Sequence, residues 1–90
     1  MEIRYKKQFL KDLVKLPLSF RKKVEKFAFE IIPNENTFEI KQKVSKLKSK
    51  NNENYYKIRI GDYRIGLYIG KNFLEFKRVL HRKDIYRYFP

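Results

Sequence analysis

The sequence predicts an α+β fold in which a helical hairpin packs on one face of a mostly antiparallel, four-stranded sheet. Two patterns support this prediction: residues 6–31 place apolar side chains at helical spacing, and residues 55–80 alternate apolar and polar side chains. The change of period along the chain indicates helices and strands that occupy separate layers. We treat residues 1–90 as a single domain, because this length supports one hydrophobic core.

A short strand and two helices are predicted before Pro33. The strand covers residues 2–5, and the first helix covers residues 6–16 and ends at Pro17, which lacks a backbone N–H. Its apolar stripe consists of Phe9, Leu10, Leu13, Val14 and Leu16, and its polar side of Lys7, Lys11, Asp12 and Lys15. The second helix has an apolar stripe of Phe20, Val24, Phe27, Ala28 and Ile31. These two helices form a hairpin whose apolar side needs a sheet to cover it.

Residues 34–54 are compatible with two local structures. Thr37–Val44 forms either a short helix that buries Phe38, Ile40 and Val44, or a strand with alternating side chains. The lysines at positions 41, 43, 46, 48 and 50 make the segment strongly basic, and residues 49–54 predict a polar loop.

Three strands are predicted in the second half of the chain, over residues 55–60, 63–69 and 73–80. Gly61-Asp62 and Gly70-Lys71-Asn72 supply the turns of a meander. The apolar face collects Tyr56, Ile58, Ile60, Tyr63, Ile65, Leu67, Ile69, Leu74, Phe76 and Leu80. Arg78 also falls on this face, which predicts a β-bulge or a place near the sheet edge. Ile85, Tyr86 and Phe89 then predict a helix of at most two turns.

The net charge is the strongest compositional signal. The chain has 23 Lys and Arg against 10 Asp and Glu, a formal charge of +13. This excess predicts a polyanionic partner, and it favours RNA or DNA over a membrane surface. The absence of cysteine and the single histidine argue against a metal site built by the protein, and we expect no cofactor. Without a secretory signal or an apolar run of about 20 residues, we expect a cytoplasmic protein with no membrane partner.

Six residues form the candidate site. The polar face of the meander carries Lys57, Arg59 and Arg64, and the end of the last strand brings His81, Arg82 and Tyr86. Cations on neighbouring strands form a fixed positive surface that can bind phosphates. A tyrosine beside them can stack on an unpaired base.

This set of side chains is compatible with binding RNA or with cutting it. Cleavage needs no metal if one group accepts a proton from the 2′-OH, another protonates the 5′-oxygen, and cations stabilise the oxyanion. Lys57 can accept a proton only if Arg59 and Arg64 destabilise its charged form through like-charge repulsion. On composition alone, a nucleic-acid-binding module is favoured over an enzyme.

Two segments, Tyr56–Gly66 (YKIRIGDYRIG) and Val79–Tyr86 (VLHRKDIY), together resemble the RelE/ParE superfamily of toxins, and in particular its RelE-type branch. The resemblance extends over the first strand, the helical hairpin and the Lys-Leu-Lys sequence at residues 46–48. It implies a two-layer fold with helices on one face of a largely antiparallel sheet. It also implies an endoribonuclease that cuts mRNA in the ribosomal A site without a metal, leaving a 2′,3′-cyclic phosphate, and that is inhibited by a cognate antitoxin.

The resemblance also implies roles for individual residues. Lys57 matches the lysine that acts as base or transition-state stabiliser, Arg59 the second cation, and Arg64 the arginine that holds the scissile phosphate. Arg82 matches the arginine at the end of the last strand, and Tyr86 the tyrosine that orients the substrate. A histidine near the position of His81 has an acid–base role in other branches. The cations and tyrosine together favour RNA cleavage.

The sequence therefore predicts a toxin that is a ribosome-dependent mRNA endoribonuclease. Two alternatives remain: a ParE-like inhibitor of DNA gyrase, and an RNA-binding module without catalytic activity. The expected partners are mRNA, the ribosome and an antitoxin. The charge of +13 and an exposed sheet edge predict that the antitoxin is acidic and adds a helix or strand across the site.

Overall fold

The sheet has five strands in the computed structural model, which describes residues 1–47 and 54–90. The strands are β1 (Glu2–Tyr5), β2 (Ser45–Lys46), β3 (Tyr55–Ile60), β4 (Tyr63–Ile69) and β5 (Phe73–His81). Their order in the sheet is β1-β5-β4-β3-β2, with β1 parallel to β5 and the other neighbours antiparallel. The α+β fold class is confirmed. The prediction of four strands is wrong, because two-residue β2 is too short to show an alternating pattern.

Four helices accompany the sheet in the described part of the chain: α1 (Lys7–Leu13), α2 (Leu18–Lys26), α3 (Thr37–Lys43) and α4 (Ile85–Tyr88). Helix α2 continues as a π-helical turn over Phe27–Ile31 and a 3-10 turn over Ile32–Asn34. Of the two structures possible for residues 37–44, the helix forms. Asn36 and Glu39 make a reciprocal capping box that satisfies backbone N–H groups at its start. The basic positions Lys48 and Lys50, and the predicted polar loop apart from Asn54, lie outside the described residues.

The main core lies between the hairpin of α1 and α2 and one face of the sheet. Its buried members are Phe9, Leu13, Val24, Ala28, Ile32, Ile40, Ile58, Ile65, Leu67, Ile69, Leu74, Phe76 and Val79. The predicted helical stripes are too wide, because Leu10 and Val14 are exposed. Phe38 is also wrongly predicted as buried and is 73% exposed, since short α3 contributes mainly Ile40 to the core.

Asp12 is buried, although its place among lysines predicted an exposed side chain. Its carboxylate accepts hydrogen bonds from Arg78 Nε at 2.7 Å, Arg78 Nη2 at 3.1 Å and the backbone N–H of Val79 at 3.2 Å. The hydrogen bond to Asp12 raises the pKa of Arg78, while burial opposes the shift. This pair joins the first helix to the last strand.

A β-bulge explains why Arg78 does not disturb the apolar face. Gly66 pairs with Arg78 and Leu67 with Phe76, so Lys77 has no partner on β4. The extra residue reverses the alternation, so Val79 enters the main core and Leu80 faces the other side, the opposite of their predicted faces. The predicted bulge is confirmed. Arg78 also lies near the sheet edge, because β1 pairs with β5 only as far as Phe76.

The opposite face of the sheet carries a second, smaller apolar cluster that the sequence did not predict. Leu47, Ile85 and Phe89 are buried there, and Tyr55 and Leu80 pack against them. Helix α4 is thus placed on the open face of the sheet, opposite the helical hairpin. The short C-terminal helix is confirmed, and its packing partner is new. In residues 1–47 and 54–90, every helix is too short or too polar to cross a membrane.

Candidate active site

The pairing of β3 and β4 gathers three of the predicted cations on the open face of the sheet. Arg59 lies directly opposite Arg64, and Lys57 lies opposite Gly66. The alternate residues of these strands face the main core, so the three cations point away from the helical hairpin. Their backbones are therefore fixed by strand pairing.

A cavity of about 370 Å³ opens above these strands. It is lined by Lys43, Ser45, Lys57, Arg59, Arg64 and Tyr86. Four of the six lining side chains are cationic, two carry a hydroxyl group, and none is acidic. Such a lining favours an anion that accepts several hydrogen bonds, and phosphate has this character.

A second cavity of about 600 Å³ adjoins the first and shares Ser45, Lys57 and Tyr86 with it. Its remaining lining is Lys46, Leu47, Phe89 and Pro90, which is more apolar. The two cavities together thus offer a cationic compartment next to a partly apolar one.

Lys57 and Tyr86 meet at the boundary of the two cavities. The Lys57 ammonium donates a hydrogen bond of 2.7 Å to the Tyr86 hydroxyl, and Lys57 Nζ lies 5.1 Å from the centre of the ring. Tyr86 reaches this position because Ile85 and Phe89, on either side of it in sequence, anchor α4 to the sheet. Tyr86 is 55% exposed, so its ring can still stack on a base.

The Arg64 guanidinium is held at the hairpin between β3 and β4. Its Nη1 donates to the carbonyl oxygens of Gly61 at 2.8 Å and Tyr63 at 3.0 Å. Gly61 has a φ of +58°, a left-handed conformation that glycine adopts without strain. A guanidinium has five N–H donors, so Arg64 is oriented by the turn and retains donors for an anion.

Arg82 flanks the cavity without lining it. Its backbone N–H donates to the carbonyl oxygen of Asp62 at 2.8 Å, and its Nε lies 3.9 Å from the Asp62 carboxylate, with both side chains largely exposed. Arg82 is the first residue after β5, two residues after Leu80, which pairs with Arg64. The structure therefore brings Arg82 near the site, paired loosely with an acidic residue.

His81 is not brought together with the other candidates. It pairs with Tyr63 across β4 and β5, and its ring packs edge-on against Tyr63 at 5.4 Å on the side of the helical hairpin. Its Nδ1 accepts the backbone N–H of Lys83 at 3.1 Å. These contacts are those of a residue that shapes the turn after β5, and a catalytic role for His81 stays a prediction.

Sequence reasoning missed two residues of the cavity lining, Lys43 and Ser45. Both lie where α3 gives way to β2, the segment for which helix and strand were equally compatible. Ser45 of β2 pairs with Lys57 of β3, so both residues lie beside the cavity. The basic character of residues 41–43 was visible, but the side to which each lysine points depends on where the helix ends.

The fold and the cavity define a small, basic α+β protein with a cationic pocket on the open face of its sheet. A family model described as "ParE toxin of type II toxin-antitoxin system, parDE" matches residues 3–86. The chain is 42% identical over 91 residues, covering all of both chains, to toxin RelE3 of Methanocaldococcus jannaschii. The chain therefore belongs to the RelE/ParE superfamily of toxins of type II toxin–antitoxin systems.

Solved structures agree with this assignment. A chain of a RelB–RelE antitoxin–toxin complex from Methanococcus jannaschii matches with a TM-score of 0.74 and 41% identity, over 97% of this chain and 99% of that chain. A chain of the RelBE2 toxin–antitoxin complex of Mycobacterium tuberculosis matches with a TM-score of 0.71 and 25% identity, over 90% and 96%. The predicted resemblance to the superfamily is confirmed.

Proposed function

We propose that this toxin is an endoribonuclease that cuts mRNA on the ribosome and so inhibits translation. One observation supports the proposal above others: Lys57 and Tyr86 are hydrogen-bonded at the edge of a cavity whose lining, among the described residues, contains four cations and no acid. This arrangement combines groups that exchange protons with groups that stabilise negative charge on a phosphate. The names of the relatives, toxins of the RelE type, favour the same activity.

In the proposed reaction, the 2′-OH of the RNA attacks the adjacent phosphorus while the bond from phosphorus to the 5′-oxygen breaks. The leaving 5′-oxygen takes up a proton from water, so the products are a 2′,3′-cyclic phosphate and a new 5′-OH end. Arg59 and Arg64 stabilise the charge that develops on the phosphate oxygens. Lys57, as a neutral amine, accepts the proton of the 2′-OH. Tyr86 fixes Lys57 through their hydrogen bond and stacks on a base.

The substrate is single-stranded RNA, for two reasons. The 2′-OH is the nucleophile, so DNA cannot react in this way. The cavity also lies on an open face beside the exposed Tyr86 ring, which an unpaired base can reach and a base in a duplex cannot. An mRNA codon displayed in the ribosomal A site meets both conditions, and the enzyme would then act in the cytoplasm.

Primer extension on a translating reporter mRNA tests the proposal, with the wild-type protein and Arg64→Ala side by side. We expect discrete new 5′ ends within the coding sequence for the wild type. Loss of one donor to the oxyanion should lower cleavage by Arg64→Ala about 10²–10³-fold. Arg87→Ala is the matched control, because Arg87 is exposed on α4, carries the same charge and is outside the cavity lining.

Two results would contradict the proposal. If a folded Arg64→Ala protein cleaved mRNA as well as the wild type, the active site would not lie on the open face of the sheet. Growth arrest with intact mRNA would show that the toxin does not act as a nuclease. In that case, gyrase-linked DNA breaks would identify a ParE-like gyrase inhibitor. RNA footprints without new RNA ends would instead identify an RNA-binding module.

We also propose that a cognate antitoxin, acidic in composition, binds this toxin. Relatives of the chain are found in complexes of RelB with RelE, and a net charge of +13 favours an acidic partner. The outer edges of β1 and β2 have no neighbouring strand among the described residues, so a strand of the partner can pair there.

A further inference from the structure

Lys43 lines the cationic cavity on the side of β2, which forms one edge of the sheet. It is the last residue of α3, and it precedes β2, whose Ser45 also lines the cavity. Arg64 contributes the opposite wall, where the carbonyl oxygens of Gly61 and Tyr63 hold it. The cavity thus extends from β4 across β3 to the end of α3.

Lys43 forms an ion pair with Glu35. Its ammonium lies 3.0 Å from Glu35 Oε2, and the Glu35 side chain is only 16% exposed whereas that of Lys43 is 40% exposed. The other carboxylate oxygen of Glu35 is buried without a hydrogen-bond partner in the described part of the chain. An ammonium has three N–H donors, so Lys43 can keep its bond to Glu35 and still offer two donors to the cavity.

The width of the cavity separates Lys43 from Arg64. Adjacent strands lie about 4.8 Å apart, so the backbones of β4 and β2 are about 10 Å from each other. Each of the two cations is held at its own side, Arg64 by the turn and Lys43 by Glu35. Lys43 and Arg64 therefore reach the cavity from opposite sides, and a chain of nucleotides that crosses the sheet can place a different phosphodiester beside each of them.

We propose that Lys43, positioned by Glu35, binds a second phosphodiester of the RNA, next to the phosphodiester held by Arg59 and Arg64. This inference rests on the proposed function for the identity of the ligand as RNA. It assigns to the junction of α3 and β2 the task of fixing the direction of the strand across the sheet.

Binding of an RNA that cannot be cut tests the inference. The probes are 2′-O-methyl RNAs, which lack the nucleophile: a dinucleotide with one phosphodiester and a tetranucleotide with three. Dissociation constants are measured by NMR titration in a salt series for the wild type, Lys43→Gln, Lys43→Arg and Lys41→Gln. Lys41→Gln is the matched control, because it removes the same charge from an exposed lysine of α3 outside the cavity lining.

For the tetranucleotide, we expect Lys43→Gln to flatten the slope of log affinity against log salt by about 0.7, the value for one single-stranded phosphate contact. The affinity gap to the wild type then narrows about fivefold when salt rises tenfold. Lys43→Arg should restore the slope, and Lys41→Gln should leave it unchanged. Dinucleotide binding should be equal for Lys43→Gln and Lys41→Gln, because only one phosphodiester is present.

The inference is overturned if Lys43→Gln and Lys41→Gln lower the affinity for the tetranucleotide equally. It is also overturned if Lys43→Gln lowers the affinity for the dinucleotide as much as the affinity for the tetranucleotide. The first result would mean that Lys43 contributes only to the overall positive charge of the surface. The second would mean that Lys43 binds the same phosphate as Arg64. Thermal melts of all variants exclude unfolding as the cause. Because binding is measured without cleavage, a protein that binds as expected but cuts no mRNA would refute the nuclease and leave this inference standing.

Discussion

Asp12 illustrates how a single charged residue can join distant parts of this fold. Its carboxylate accepts three hydrogen bonds from Arg78 and Val79, which lie 66 and 67 positions further along the chain. The pattern around Asp12 is that of a solvated helix face, and only the arrival of Arg78 makes its burial favourable. The acid among lysines, Asp12, and the arginine predicted on an apolar face, Arg78, are thus explained by one interaction between them.

We expect Asp12→Ala to destabilise the protein by about 2 kcal/mol. Removing one partner of a fully buried pair typically costs about 3–5 kcal/mol, and the partly exposed Arg78 can recover some hydration. Urea unfolding measures the change in free energy. The combined variant Asp12→Leu with Arg78→Met should be close to the wild type, since it removes both charges. If the free energy of unfolding of Asp12→Ala lay within about 0.5 kcal/mol of the wild-type value, the range of ordinary surface substitutions, the structural role of the pair would be contradicted.

His81 permits a second test at the level of one residue. Its ring packs on Tyr63, on the face of the sheet opposite Lys57 and Arg59. We therefore expect His81→Gln to keep cleavage within about threefold of the wild type, well below the 10²–10⁴ typical of a general acid or base. Single-turnover cleavage of reporter mRNA on ribosomes provides the measurement. A loss of about 10²-fold in a folded variant would give His81 the acid–base role that the sequence suggested.

Helix α4 depends on the sheet for its position. Four residues are far too few for a helix that is stable by itself, so packing must fix it. Phe89 supplies that packing by lying directly over Gly66 in β4, where a Cβ in place of the glycine hydrogen would come within 2.6 Å of the ring. Gly66 thus provides the space that lets α4 carry Tyr86 to Lys57.

Gly66→Ala should displace Phe89 and weaken the site at the same time. We expect a loss of about 1–3 kcal/mol in the free energy of unfolding, as for other overpacked sites, measured in urea. We also expect cleavage to fall about tenfold or more, because Tyr86 loses its place beside Lys57. Adding Phe89→Leu should recover part of the activity by making room for the new methyl group. Full activity of Gly66→Ala alone would show that α4 does not position Tyr86.

The long elements were predictable from the sequence, and the short ones were not. Strands β3, β4 and β5 each present at least six residues of alternation, so their existence and the face of the cations followed from the pattern. The two-residue strand β2 forms through tertiary contacts, and tertiary contacts also decide whether Thr37–Lys43 is helical or extended. Lys43 and Ser45 were missed from the site for that reason. The apolar cluster beneath α4 was missed because Leu47 and Phe89 are isolated in sequence.

At the scale of the whole molecule, the charge is distributed over both faces of the sheet. The open face carries the cavity cations, and exposed lysines of α1 and α2 cover the other side. A protein with this much positive charge repels itself, and an acidic partner relieves that repulsion. The open face and the helical side therefore both favour the proposed antitoxin.

Co-expression with the product of the open reading frame adjacent to that of the toxin tests the partnership. We expect a complex that co-elutes in gel filtration, a gain in soluble yield, and loss of mRNA cleavage in the primer-extension assay. High salt should slow association, because attraction between opposite charges raises the association rate. Arg64→Ala serves as the non-toxic form for the binding measurements. Equal solubility and toxicity with and without the neighbouring protein would contradict the proposal.

The parallel pairing of β1 with β5 has a consequence for synthesis of the chain. Glu2 pairs with Phe73, which is added to the chain 71 positions later, and nearly half of the main core belongs to β4 and β5. Until β5 emerges, β1 and α1 have no surface to cover, and Asp12 has no Arg78. Long-range pairing of this kind makes folding a late event. The main core therefore cannot be completed until nearly all of the chain up to the end of β5 has been synthesised.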